Sequence, residues 1–217
     1  MIRRFINKLV RKLHRVLFFK KNPEYLEEKK RKEDYKYLIS QGVETEYGFV
    51  YLGGKPIIKK HPGSRIILGR NITLLSDSEY NCAGINHPVI LATLSNNAII
   101  EIKDGAGLSG TSVVSQSSIV IGEKVTIGVN VNIYDTDFHP VDSILRENQN
   151  ESGLKNVNTS PIVLERNVWI GANSTILKGV VIGENAIVGV NSLVNKSIES
   201  NVLAAGVPTK IIRKNQI

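Results

Sequence analysis

The stretch Tyr134-Asp135-Thr136-Asp137-Phe138-His139-Pro140-Val141-Asp142 sets one imidazole among three carboxylates. Near neutral pH an imidazole can take a proton from a weakly acidic group and return it to a departing one, because its ordinary pKa lies close to the operating pH. Its working nitrogen must be neutral and aimed through a hydrogen bond at the other nitrogen, for which a backbone carbonyl, Asp137 or Asp135 could serve. Histidine before proline is also an ordinary turn dipeptide, and His61-Pro62 and His87-Pro88 repeat it. His139 differs by position: it ends a regular array and opens a polar stretch, Ser143 to Ser160, before the regular pattern resumes at Pro161. A loop of this kind (140–160) costs packing without serving the array, which marks it as a functional candidate.

The elements on either side must position that histidine. Aliphatic residues return at every sixth position in Leu164, Ile170, Ile176, Ile182, Val188 and Val194, and Gly171, Gly183 and Gly189 directly follow three of them. Two positions earlier stand small or β-branched residues: Ile162, Val168, Ser174, Val180, Ala186 and Ser192. A helix repeats near 3.6 residues and a half-buried strand near 2, so a period of six indicates a hexapeptide solenoid. Each hexad then makes one short strand and a tight corner, three hexads make a triangular coil, and successive coils stack about 4.8 Å apart. Glycine relieves crowding near a corner.

An earlier array agrees. Ile102, Leu108 and Val114 keep the spacing; Ile121, Ile127 and Ile133 resume it after a one-residue slip between Val114 and Ile121. Ile66, Leu68, Ile72 and Leu74 extend it upstream, while Ser76 to Ala98 is irregular and reads as distorted coils or an inserted loop. The expected fold class is all-β, a parallel β-helix over residues 43–213 with a helical extension over 1–42 and a short tail at 214–217.

The chain has 217 residues, a net charge of +8 and one cysteine, Cys82, which forbids an intrachain disulfide and fits a reducing, cytoplasmic setting. No run approaches the roughly twenty apolar residues of a membrane span. Arg3, Arg4, Lys8, Arg11, Lys12 and Arg15 interrupt every apolar region at the start, so no cleavable signal is expected. Instead Ile2, Phe5, Ile6, Leu9, Val10, Leu13, Val16 and Leu17 share one helical face opposite those cations. Residues 1–21 could lie peripherally on an anionic membrane surface, or pack on the prism or a neighbouring subunit. Nucleic acid is not an expected partner, because no reading motif accompanies the charge. Pro23 ends that first helix, Glu24 to Ile39 reads as a second, solvated helix laced with Glu–Lys pairs, and Gly42 closes it.

The pattern resembles the left-handed β-helix acyltransferases with hexapeptide repeats, within them the maltose, galactoside and polysaccharide O-acetyltransferase group. The resemblance covers roughly residues 100 to 213. It rests on His139-Pro140-Val141-Asp142, Arg146, Asn167-Val168-Trp169-Ile170-Gly171-Ala172, and Ala204-Ala205-Gly206-Val207-Pro208-Thr209-Lys210-Ile211-Ile212-Arg213. It implies left-handed coils, a homotrimer with each site between two subunits, acetyl-CoA as co-substrate and His139 as the catalytic base. It also implies coenzyme contacts from Trp169, Ala172, Val190, Asn195 and Lys196, with Lys210 and Arg213 on the phosphates. Asn86, His87, Asp142 and Arg146 are the acceptor-side candidates, the first two about three coils before His139, or roughly 14 Å along the axis of a regular stack.

This chain departs from the maltose and galactoside branch one coil before the histidine. Gly110 stands near that branch's asparagine, and Ser115 or Gln116 near its acid. The simple-sugar pocket is therefore not reproduced, and the expected acceptor is a saccharide assembled at the cytoplasmic membrane face, such as a capsule or O-antigen precursor. N-acyl transfer to an amino sugar is the enzymatic alternative, and a catalytically silent scaffold or binding module the other. No metal is expected: the zinc carbonic anhydrases of related fold need three clustered histidines, and only His14, His61, His87 and His139 exist.

Overall fold

The computed structural model describes residues 23–148 and 153–214. The basic amphipathic segment 1–21, and the membrane contact expected of it, lie outside the described residues. Helix α1 (Pro23–Ser40) carries the i,i+4 pairs Lys29–Glu33, Arg31–Glu27 and Lys32–Glu28 on its exposed side, while the pair Lys30–Asp34 is part-buried and the Lys30 ammonium also donates to the Leu52 carbonyl of β1 (Val50–Gly53). Its last turn is not solvated throughout, because Leu38 is buried with Val43, Leu52 and Ile66 and covers the first coil of the core. Gly42 ends the helix at φ +75°, and the Val43 amide donates to the Leu38 carbonyl, the left-handed cap that favours glycine.

Nineteen strands among the described residues form three sheets. Face A stacks β3 (Arg65–Leu68), β6 (Ile99–Ile102), β9 (Ser118–Ile121), β12 (Ile162–Leu164) and β15 (Val181–Ile182). Face B stacks β1 (Val50–Gly53), β4 (Ile72–Leu75), β7 (Gly107–Ser109), β10 (Thr126–Val129), β13 (Trp169–Ile170), β16 (Ile187–Val188), β18 (Val202–Ala205) and β19 (Lys210–Lys214). Face C stacks β2 (Ile57–Lys59), β5 (Ile90–Thr93), β8 (Ser112–Ser115), β11 (Asn132–Tyr134), β14 (Thr175–Leu177) and β17 (Leu193–Val194). All ladders are parallel except β18–β19, a closing hairpin that contains the cis Val207–Pro208 bond.

The hexad aliphatics pile into one core, with Leu164, Ile170, Ile176, Ile182, Val188 and Val194 all essentially without exposure. Corners demand a left-handed backbone, which asparagine tolerates better than most residues. Asn167, Asn185 and Asn201 adopt φ near +60° at the A/B corner, and their side-chain amides form a ladder, Asn167 Nδ2 to Asn185 Oδ1 at 2.8 Å and Asn185 Nδ2 to Asn201 Oδ1 at 2.9 Å.

The structure corrects the phase of the earlier array. Val113, not Val114, is the core residue of β8, in register with Leu91 below and Ile133 above, whereas Val114 is half-buried beside Tyr134. The slip is two changes: the corner before β8 is shorter than a regular one and the corner after it longer. The longer corner bends around a buried carboxylate described below. The irregular stretch is also resolved into parts: a 3-10 turn at Ser78–Tyr80, an inserted loop to Val89, strand β5, and a lengthened corner at 94–98.

Candidate active site

His139 is exposed at the corner between faces C and A, just beyond β11. Three features fix its approach. Phe138 adopts φ +61° and packs edge-on against Tyr134, with centroids 5.2 Å apart. The His139 amide donates to the Asp137 carbonyl at 2.7 Å, and the Asp137 amide donates to the Asn158 carbonyl at 3.0 Å. From the next coil up, the Lys178 ammonium donates to the Asp137 carboxylate. Tyr134, which supports the Phe138 ring, has its phenol pushed above the usual tyrosine range by burial.

The orienting role expected of Asp135 does not fit its geometry. Its side chain is fully buried and turned into the coil below, where Oδ1 accepts from the Gln116 amide at 2.6 Å and Oδ2 from Ser115 Oγ at 2.7 Å and the Ser117 amide at 2.9 Å. A buried carboxylate needs such donors, and the longer corner after β8 supplies them. Asp137 remains beside His139, with its carboxylate held by Lys178.

The loop that opens at His139 begins with helix α2 (Ser143–Glu147). Asp142 caps it, accepting from the Leu145 amide at 2.9 Å, and Arg146 Nη1 donates to the carbonyls of Pro140 at 3.0 Å and Val141 at 2.9 Å. Both candidates for the acceptor side are thus used in shaping their own turn. The other two, Asn86 and His87, lie in the inserted loop at the corner between faces B and C. The sequence placed them about three coils below His139. Instead the loop climbs, and the Asn86 amide donates to Asn130 Oδ1 at 2.9 Å, at the corner that leads into β11. Gly110 makes room for it, since a Cβ there would stand 2.6 Å from the Ile85 side chain and 2.9 Å from the His87 carbonyl oxygen.

The expected coenzyme residues fall in two groups. Trp169, 53% exposed, points out of face B; Ala172 and Val190, the latter 64% exposed, sit at the B/C corner; Lys210 and Arg213 lie on exposed β19 of face B. Asn195 and Lys196 are exposed at the C/A corner, two coils above His139, or roughly 10 Å along the axis. The two corners bound face C from opposite ends, separated by up to roughly 20 Å of strand at 3.3 Å per residue. One chain therefore does not bring His139 together with Ala172, Val190 and the face B residues.

Sequence reasoning missed Lys178 and the pairing of Tyr134 with Phe138. An outward lysine one coil above an aspartate is a signal the stacked hexads contain once the strand register is known.

Residues 161–196 match the bacterial transferase hexapeptide family, described as six repeats. The chain is 40% identical over 103 residues to the galactoside O-acetyltransferase of Escherichia coli, covering 48% of this chain and 47% of that protein. It is 36% identical over 105 residues to an Escherichia coli protein, WbbJ, whose name assigns it O-acetyl transfer in lipopolysaccharide biosynthesis, covering 47% and 53%. The chain thus spans about half the length of the curated relatives it matches. Among solved structures it is similar to AntD, an N-acyltransferase from Bacillus cereus in complex with dTDP and 3-hydroxybutyryl-CoA, with a TM-score of 0.58 and 25% identity over 77% of this chain and 80% of that one. With three faces of stacked hexad strands and these similarities, the chain carries the hexapeptide repeat of bacterial transferases on a left-handed β-helix and resembles the hexapeptide-repeat acyltransferases.

Proposed function

We propose that the protein transfers an acetyl group from acetyl-CoA to a hydroxyl of a saccharide, with His139 as general base. The observation that carries this reading is the placement of His139: exposed, at the one corner where the solenoid ejects its long loop, and fixed through Phe138 and Asp137. His139 removes the hydroxyl proton as that oxygen attacks the thioester carbonyl. The C–O bond forms, the C–S bond breaks, and the proton returns to the departing thiolate. The tetrahedral oxygen needs a pre-aligned donor, for which a backbone amide near the cleft suffices.

The split of the coenzyme residues between two corners supports a site completed by a second copy of the chain, in a homotrimer. In this reading one subunit supplies His139 with Asn195 and Lys196. Its neighbour supplies Trp169, Ala172 and Val190 to the pantetheine arm, with Lys210 and Arg213 for the phosphates. Asn86, tied to Asn130 at the corner that leads into β11, and His87 beside it stand on the opposite corner and then face His139 from the neighbour on the acceptor side. The basic start and the similarity to the lipopolysaccharide-directed protein favour a cell-surface polysaccharide precursor as acceptor, met at the inner face of the membrane. No helix of the described residues is long and apolar enough to cross a membrane.

A second reading, N-acyl transfer to an amino sugar, is favoured by the similarity to AntD. Incubation with acetyl-CoA and a panel of nucleotide sugars, amino sugars and polysaccharide fragments, following thiol release and product mass, separates the two. Ester products are expected; products with amines alone would replace O-transfer by N-transfer. His139→Ala should lose orders of magnitude of transfer while still binding acetyl-CoA, and undiminished transfer would remove His139 from the mechanism. Flotation with anionic liposomes, comparing the intact protein with one lacking residues 1–21, tests the membrane contact; equal solubility of both refutes it.

A further inference from the structure

Two departures from the six-residue pattern converge at a place the proposed transfer does not use. The corner after β5 is lengthened at residues 94–97, and the returning limb of the 140–160 loop, 154–159, lies against the same C/A corner above it. Between them runs an open groove of about 720 Å³, within the usual range for ligand sites. A regular solenoid corner has no such space.

The walls are tied together. Ser95 Oγ donates to the Gln116 carbonyl at 2.7 Å, Gln116 Nε2 donates to the Leu154 carbonyl at 3.1 Å, and Gln116 Oε1 accepts from Thr136 Oγ1 at 2.6 Å. At the lower end the His61 amide donates to Thr93 Oγ1 at 2.9 Å, and that hydroxyl shares a 2.7 Å hydrogen bond with Ser64 Oγ. His61 Nδ1 lies 2.8 Å from the Pro62 carbonyl oxygen, so Nδ1 carries the proton and Nε2 is the ring nitrogen left to meet a ligand.

The lining has a definite chemistry. Among the described residues it contains no carboxylate, while His61 and Lys155 supply cationic or cation-capable groups, Asn96 and Asn97 supply amides, and Leu94 and Leu154 supply short aliphatic surface. Amides and hydroxyls beside small apolar patches suit sugar rings, and the imbalance of charge suits an anionic one. Thr159, at the upper end, bridges Thr136, three residues before His139. From the coil of His61 to that of His139 is about 14 Å at three coil spacings, longer than one monosaccharide needs.

We propose that this groove holds the distal part of an extended acidic saccharide, one bearing uronate-type carboxylates, whose nearer end reaches His139. The inference rests on the saccharide-acylating reading above and deepens it by naming the acceptor class and its binding path. The test is isothermal titration of the full-length protein, without acetyl-CoA, with oligogalacturonides and with maltooligosaccharides of matched length. Oligogalacturonides should bind at least tenfold more tightly, and Lys155→Ala and Asn96→Ala, both at exposed positions, should each weaken that binding at least tenfold without lowering Tm. Binding is read without acetyl-CoA and without turnover, so the groove is tested whether or not transfer is observed. No binding of oligogalacturonides, equal binding of the neutral series, or affinity untouched by both groove variants would overturn the proposal.

Discussion

The Lys178 ammonium reaches down one coil to the Asp137 carboxylate, and the carbonyl of that same Asp137 accepts the amide of His139. Both side chains of the pair are only about a third exposed, 32% and 29%, so solvent screens it less than a surface pair. The coil above the break thus holds the histidine segment in place through one residue.

Removing that hold should misplace the imidazole more than it unfolds the protein. Lys178→Met is expected to lower kcat about tenfold, in keeping with the sensitivity of catalysis to small misplacement, while KM for acetyl-CoA changes little. The stability cost should be about 1 kcal/mol. Steady-state kinetics with a thermal melt decide it; an unaltered kcat would mean the pair does not position His139.

Asp135 should behave in the opposite way. Its carboxylate satisfies the Ser115 hydroxyl and the amides of Gln116 and Ser117 inside the solenoid, so Asp135→Ala strands three buried or part-buried donors. A loss of about 3 kcal/mol or more is expected from unsatisfied groups that had a charged partner. Asp135→Asn, which keeps one acceptor oxygen, should lose less. Urea unfolding of the two variants measures this, and equal stability to the parent would show that water replaces the carboxylate without cost.

How far the sequence could be read follows from what a period of six encodes. It specifies which side chains face inward, so the core from Ile121 to Val194 was legible residue by residue. Corner length is not encoded that way. With two adjacent valines in β8, the choice between Val113 and Val114 depended on a shortened corner before them and a lengthened one after, which only the ladder register reveals. The height of Asn86 was misjudged for a related reason: an inserted loop leaves the coil order and climbs to Asn130, so sequence distance no longer measures axial distance. Asp135 and Asp137 look alike beside His139, and two residues apart they would share a face of a continued strand, but the strand ends at Tyr134 and the chain turns to pair Thr136 with Thr159, which buries the first and leaves the second at the corner.

The glycines that follow the hexad aliphatics make a sharper test of the stacking. A Cβ on Gly171 would stand 2.5 Å from the Val190 amide nitrogen of the next coil, backbone against backbone, whereas at Gly107 nothing lies within 4 Å. Gly171→Ala should destabilise by about 1–3 kcal/mol, the usual cost of overpacking, and Gly107→Ala should be near neutral. Thermal unfolding of the two side by side checks it; similar melting temperatures would contradict the coil spacing.

Glu44 and Arg65 form a two-pronged pair, Arg65 Nε to Oε1 at 2.9 Å and Nη2 to Oε2 at 2.6 Å, which holds the Glu44 carboxyl below the usual carboxylate range. A depressed folded-state pKa adds stability above the unfolded pKa, and that contribution is lost as pH falls through the folded value. Both side chains are about half exposed, so the effect is small, at most about 2 °C in Tm. Glu44→Gln should therefore melt slightly below the parent at neutral pH and together with it in strong acid. A gap that persists or widens in acid would reject the linkage.

Asn130 allows the inserted loop to be loosened in two separable ways. It adopts φ +60° at its corner and its Oδ1 accepts the Asn86 amide, so it serves both the solenoid and the loop. Asn130→Gly keeps the left-handed backbone at little cost and removes only the acceptor, whereas Asn130→Ala removes the acceptor and adds about 1–2 kcal/mol of backbone strain. Limited proteolysis should cut residues 76–89 faster in both variants, with Tm lowered clearly in the alanine variant alone. Asn81 Nδ2 still donates to Ser109 Oγ at 3.2 Å, so the loop should loosen without detaching, and acceptor KM should rise while kcat at saturation holds. Cleavage no faster than in the parent would show that Asn86 is held by something other than the Asn130 side chain, and an unchanged acceptor KM with faster cleavage would remove His87 from the acceptor side.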